Sequence, residues 1–108
     1  MVRNTYKLYI DDLRTPRTKG WIVVRSYEEF ISTILDRGIP EEISFDHDLG
    51  WDYKENKELR SGYDCAKWLV ENDIVINNFN VHSANPVGAM NIRCLLENFQ
   101  KFKSKYTA

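Results

Sequence analysis

Short apolar runs alternate with amphipathic stretches along the chain. Residues 6–10 form a β-prone run that stops at Asp11-Asp12. Residues 11–20 carry Pro16, Gly20 and the basic Arg14, Arg17 and Lys19, and predict a loop. A second apolar run covers 21–24. Ser26 with Glu29 three positions later is a capping-box pattern, and behind it Tyr27, Phe30, Ile31, Ile34 and Leu35 recur at helical spacing. Gly38 and Pro40 end that helix. A third strand at 43–45 runs into Asp46-His47-Asp48, followed by a polar loop to Ser61. Ser61 with Asp64 opens a second helix, with Cys65, Ala66, Leu69 and Val70 on one side. A fourth strand at 79–81 ends at His82-Ser83. Pro86 precedes a final helix that turns Ile92, Leu95, Leu96, Phe99 and Phe102 inward, with lysines in its last turns, where cations suit the helix dipole.

Strand–helix alternation with short connections predicts an α/β fold, a mainly parallel sheet of about four strands covered by helices. The segment between the first two strands is too short and broken for a full helix. With 108 residues the chain makes a single domain, 1–108. Basic and acidic residues number 15 and 16, so no general attraction to nucleic acid or membrane is expected. The N-terminus has no apolar signal region and no apolar run is long enough to span a bilayer, which places the protein in the cytoplasm by elimination. Cys65 and Cys94 both fall on or near apolar helical stripes and predict buried, reduced thiols; without a CxxC pair, a thiolate metal site is excluded.

The candidate chemistry lies where strands end. Three of the four strands hand over to polar clusters: Asp11-Asp12, Asp46-His47-Asp48 and His82-Ser83-Ala84-Asn85. Parallel order brings all three to one rim, where open α/β sheets bind ligands. Both histidines of the chain sit in these clusters, and imidazole suits proton transfer near neutral pH. Two of them beside one phosphate would let one activate water and the other protonate a leaving oxygen. Crowding Asp11, Asp12 and Asp46 is costly unless a cation or shared proton relieves it, and Mg2+ is the natural cation for such oxygens. Arg14 offers a bidentate contact to phosphate oxygens. Plainer roles stand beside these: a turn or cap for Asp11-Asp12, an ion pair for His47, a satisfied core position for His82, and N-capping of the last helix for Ser83 and Asn85. His47-Asp48 also spells the dipeptide of helical HD phosphohydrolases, but the further helical metal ligands of that fold are missing.

The order of strand-end groups resembles response-regulator receiver domains. Asp11-Asp12 matches their acidic pair, Asp46 their phosphoacceptor, and Ser83-Ala84 the hydroxyl residue after the fourth strand. The resemblance implies Mg2+ held by Asp11, Asp12 and Asp46, and a three-layer, flavodoxin-like domain. This one is truncated after its fourth strand and helix, without the receiver's fifth strand and lysine. A closer resemblance is to the divergent cyclic-phosphate processing receiver-like domains. Their Asp-Asp-x-Arg, Asp-His-Asp-Leu and His-Ser-x-Asn-Pro motifs stand here as Asp11-Asp12-Leu13-Arg14, Asp46-His47-Asp48-Leu49 and His82-Ser83-Ala84-Asn85-Pro86.

That resemblance implies a hydrolase, of cyclic phosphodiesterase or phosphatase type, acting on a cyclic phosphate or related phosphoester of a nucleotide or ADP-ribose-type small molecule, in a bacterial or phage setting. His47, His82, Asp46 and Asp48 are its candidate catalytic residues, and Arg14, Ser83 and Asn85 its candidate phosphate ligands; a metal-independent route through the histidines and Arg14 stays open. Two alternatives are a binding module that captures a nucleotide without cleaving it, and a degenerate phosphoacceptor receiver.

Overall fold

A computed structural model describes residues 1–106. Four parallel strands form the sheet: β1 (Lys7–Ile10), β2 (Trp21–Val24), β3 (Glu42–Phe45) and β6 (Asn78–Val81), in the order β2-β1-β3-β6. Helices α1 (Tyr27–Arg37), α2 (Gly62–Glu71) and α3 (Pro86–Tyr106) follow β2, the 46–61 segment and β6. Ser26 and Ser61 cap α1 and α2 as their spacing predicts, and the box at Ser61 is reciprocal with Asp64. No described helix is long and apolar enough to cross a membrane.

The register makes the two faces of the sheet chemically different. Leu8, Ile22, Ile43 and Phe79 share one row, and Ile10, Val24, Phe45 and Val81 share another. Both rows point to the same face, because side chains alternate along a strand. The core is built there, from these residues with Phe30 and Ile34 of α1, Cys65, Ala66 and Leu69 of α2, and Ala89, Ile92 and Leu96 of α3. The other face carries Lys7, Trp21, Glu42 and Asn78 in one row and Tyr9, Val23, Ser44 and Asn80 in the next.

The third layer expected for the fold is therefore missing among the described residues. Crossovers β2–α1–β3 and β3–α2–β6 run in the same direction across the sheet, so right-handed connections put both helices on one face. Only the β1–β2 connection runs the opposite way, and its residues 11–20 form an irregular loop. Among the described residues the polar face has no helix upon it.

Four local expectations also change. The polar loop before Ser61 contains a two-stranded antiparallel hairpin, β4 (Trp51–Asp52) with β5 (Lys57–Glu58). Leu35, Phe102 and Cys94 are exposed, while Cys65 is buried as expected. A helix on one side of a sheet buries a stripe rather than a half-cylinder, and these three residues fall beyond its edge.

Candidate active site

The strand ends meet as the parallel order requires. Ile10, Phe45 and Val81 stand side by side, and the ladder continues one residue further: Asp46 N–H donates to the Ile10 carbonyl at 2.9 Å and His82 N–H to the Phe45 carbonyl at 2.9 Å. Asp11, Asp46 and His82 thus leave neighbouring strands at the same level.

Asp11 is the most enclosed of these groups, with no exposed surface. Its Oδ1 accepts the backbone N–H groups of Leu13 at 2.9 Å and Arg14 at 2.8 Å, folding the chain back as aspartates do in turns. Its Oδ2 accepts Arg14 Nε at 2.9 Å and His82 Nε2 at 3.0 Å. Arg25 secures the turn from behind by donating to the Asp11 and Arg14 carbonyls. Burial pushes the Asp11 carboxyl up, but the backbone donors, His82 and the Arg14 charge outweigh it and hold the carboxyl below its usual value. Asp46 goes the other way: burial and the Asp11 charge raise it, against the opposing pull of Arg14, whose Nη2 lies 3.3 Å from Asp46 Oδ1. One member of the carboxylate pair is held ionised and the other is made readier to take a proton, a division that accompanies acid–base work in enzymes.

These residues open into a cavity of about 530 Å3 lined by Asp11, Asp12, Arg14, Asp46, Asp48 and Ser83, with Trp51, Tyr53 and Leu59 of the hairpin region forming its outer wall. One carboxylate oxygen from each of Asp11, Asp12 and Asp46 lies within 4.8 Å of the others. Three hard oxygen donors at this spacing suit a divalent cation, and Asp12 takes no hydrogen bond or ion pair among the described residues. The donor chemistry therefore fits the metal that the receiver fold implies, although Arg14 already offsets part of the negative charge.

The histidines do not share this cavity. His47 pairs its Nδ1 with Asp48 Oδ1 at 2.9 Å, and its ring lies against Gly88 in the first turn of α3. His82 stacks on Tyr9 with ring centroids 4.3 Å apart and planes 8° from parallel. It lines a second cavity, on the helix-free face. Asn85 caps α3, its Oδ1 accepting Gly88 N–H at 3.0 Å, and Ser83 Oγ accepts Asn85 N–H at 3.1 Å. Ser83 reaches the acidic cavity, and Asn85 does not line it.

Sequence reasoning missed three contributors. Ser44 reads as an ordinary strand residue, yet its Oγ is 2.7 Å from His82 Nδ1. Tyr9, which supports the His82 ring, has the same disguise. Trp51, in the polar loop before Ser61, walls the acidic cavity. The available signal was the alternation of the sheet: Tyr9 and Ser44 stand in one row on the polar face, the side to which His82 turns.

Comparison with curated proteins and with solved structures finds no match. Residues 6–98 match the family model of the cyclic-phosphate processing receiver domain. That span holds every strand, α1, α2, the larger part of α3 and all three strand-end motifs, and the chain belongs to the cyclic-phosphate processing receiver domain family.

Proposed function

We propose that the protein hydrolyses a cyclic phosphate, or a related phosphoester, on a nucleotide or ADP-ribose-type small molecule. The observation that carries this reading is the geometry at the strand ends, where Arg14 spans Asp11 at 2.9 Å and Asp46 at 3.3 Å on the wall of one cavity. Opening a cyclic phosphate needs a cationic hold on the phosphoryl oxygens, a base for the nucleophile and an acid for the leaving oxygen. Arg14 is half-exposed and supplies the hold; the Ser83 hydroxyl lines the same cavity. Asp46, whose carboxyl burial and the Asp11 charge raise, is the candidate acid when no cation occupies the cluster. His82 and His47 lie outside the acidic cavity and are candidate proton carriers only through the carboxylates they hold there, Asp11 and Asp48. A divalent cation held by Asp11, Asp12 and Asp46 would neutralise phosphate charge and polarise its P–O bonds.

The test is a phosphorus NMR screen of the purified chain against 2′,3′-cyclic nucleotides, cyclic dinucleotides and ADP-ribose 1″,2″-cyclic phosphate, with and without Mg2+. Conversion to a phosphomonoester or opened diester, lost in folded Asp46→Ala and His82→Ala variants, is the expected result. Recovery of unchanged ligand with shifted resonances would replace hydrolysis by capture. A stable aspartyl-phosphate on Asp46 would instead assign the chain to phosphoacceptor signalling.

A further inference from the structure

Ser44 lies within β3 and its side chain leaves the sheet on the helix-free face, in register between Tyr9 and Asn80. Its Oγ is 2.7 Å from His82 Nδ1, and His82 Nε2 is 3.0 Å from Asp11 Oδ2. The direction of these bonds follows from the donors already on Asp11. Two backbone N–H groups and Arg14 Nε converge on its oxygens, an arrangement suited to a carboxylate, which only accepts. The proton of the His82–Asp11 bond therefore sits on Nε2. In neutral imidazole this leaves Nδ1 with a lone pair, and the Ser44 hydroxyl donates to it. Tyr9, stacked face to face on the imidazole, keeps the ring in this orientation.

A hydroxyl bonded to an imidazole whose other nitrogen is held by a buried carboxylate is the arrangement that activates serine nucleophiles. Here it opens into a cavity of about 690 Å3, lined by Ser44, His82, Tyr9 and Asn80 together with Arg14 and Arg17. Leu13 and Arg14 form a wall common to this cavity and the acidic one. The two arginines give the second cavity an anionic preference, and Trp21 also lines it.

We propose that Ser44 is a catalytic nucleophile toward phosphoesters that enter from the helix-free face. The inference takes its substrate class from the phosphoester reading above and puts a serine in place of water in the first step. Ser44 Oγ forms a bond to phosphorus as one P–O ester bond breaks; the serine proton passes to His82 Nδ1 and from there to the departing alkoxide. Water then attacks the seryl phosphodiester, giving its proton to His82, and Ser44 Oγ leaves with that proton. The sum is one phosphoester bond hydrolysed by one water.

A fluorophosphonate probe tests the nucleophile without the natural substrate. Its phosphorus accepts Oγ as fluoride departs, leaving a stable adduct that peptide mass spectrometry locates. The full chain is expected to take up one probe, on Ser44. Ser44→Ala is expected to take up none, and His82→Gln to react about 100-fold more slowly, the scale of a lost general base; thermal melts establish that both variants are folded. Wild-type protein with no adduct on Ser44, or a folded His82→Gln variant labelled at the wild-type rate, overturns the proposal. An adduct on Ser44 in a protein that converts none of the cyclic phosphates supports the nucleophile and sinks the substrate class instead.

Discussion

A methyl group added to Gly62 would stand 1.8 Å from the Asp46 carbonyl oxygen, and one added to Gly88 would stand 2.4 Å from Cγ of His47. The two glycines clasp the Asp46–His47 segment from α2 and α3, but they fail differently when substituted. At Gly62 the obstacle is backbone, fixed by the Gly62 N–H bond to the His47 carbonyl at 2.7 Å. Gly62→Ala is expected to destabilise by about 3 kcal/mol, the upper end of overpacking, seen as a lower urea midpoint. At Gly88 the obstacle is an imidazole that can swing away, while alanine inside a helix gains about 1 kcal/mol over glycine. Gly88→Ala is therefore expected to melt close to the wild type with His47 displaced, which the ring resonances of His47 in a proton–nitrogen NMR spectrum would report. Unmoved His47 resonances in that variant would mean that α3, not the ring, had yielded.

Among the elements, α2 shows what the sequence discloses and what it hides. Its capping box was legible because Ser61 and Asp64 are three residues apart and bond each other whatever lies beyond. Ser61→Ala is expected to cost about 1 kcal/mol, read as a lower melting temperature; an unchanged melt would mean that Asp64 finds other donors. The four strands were equally legible, since each is a continuous apolar or alternating run, and so was the acidic rim, which follows from parallel order alone. The hairpin of β4 and β5 was not, because two-residue strands leave no periodicity and Asn56 closes the turn at positive φ without a glycine. The absent third layer was hidden for another reason. The sequence shows that residues 11–20 make a poor helix, but that this connection is the only one running toward the other face depends on strand order. Strand order also separated the histidines: His82 continues the alternation of β6 toward the helix-free face, whereas His47, past the end of β3, turns to α3. Motif spacing placed both at one rim and could not say on which side of it.

For the molecule as a whole, the carboxylate pair makes two opposite contributions to how stability varies with pH in the acid range. Asp11 is held below its usual value in the fold. It contributes stability that is complete above the unfolded-chain value, about 3.9, and is lost as pH falls through the folded value. Asp46 is raised, so the folded chain bears a penalty at neutral pH that disappears as pH falls through its folded value toward the unfolded one. Asp46→Asn removes that penalty along with the Arg14 contact. Arg14 is half-exposed, and ion pairs of that kind contribute under about 1 kcal/mol, so relief of the buried charge wins. The variant is expected to gain on the order of 1 kcal/mol at pH 7, about 4–8 °C in melting temperature for a domain near this size. Near pH 3 the gain vanishes, because the wild-type carboxyl is then protonated in both states. A variant less stable than wild type at pH 7 would mean that the arginine contact dominates.

A divalent cation acts on the same balance from the opposite side, by making the ionised cluster favourable. At ten times its dissociation constant, Mg2+ is expected to stabilise the wild type by about 1.4 kcal/mol, a rise of several degrees in a thermal melt at pH 7. Asp12 is the position at which to ask whether that rise comes from the acidic cavity. Asp11 supports the turn, His82 and Arg14, so its loss would disturb the fold with or without metal. Asp12 belongs to the cluster but makes no other bond among the described residues, so Asp12→Asn should leave the metal-free melt nearly unchanged and abolish the rise with Mg2+. If the rise survived in that variant, the cation would be binding elsewhere, and the charge of Asp11 and Asp46 would be balanced by Arg14 alone.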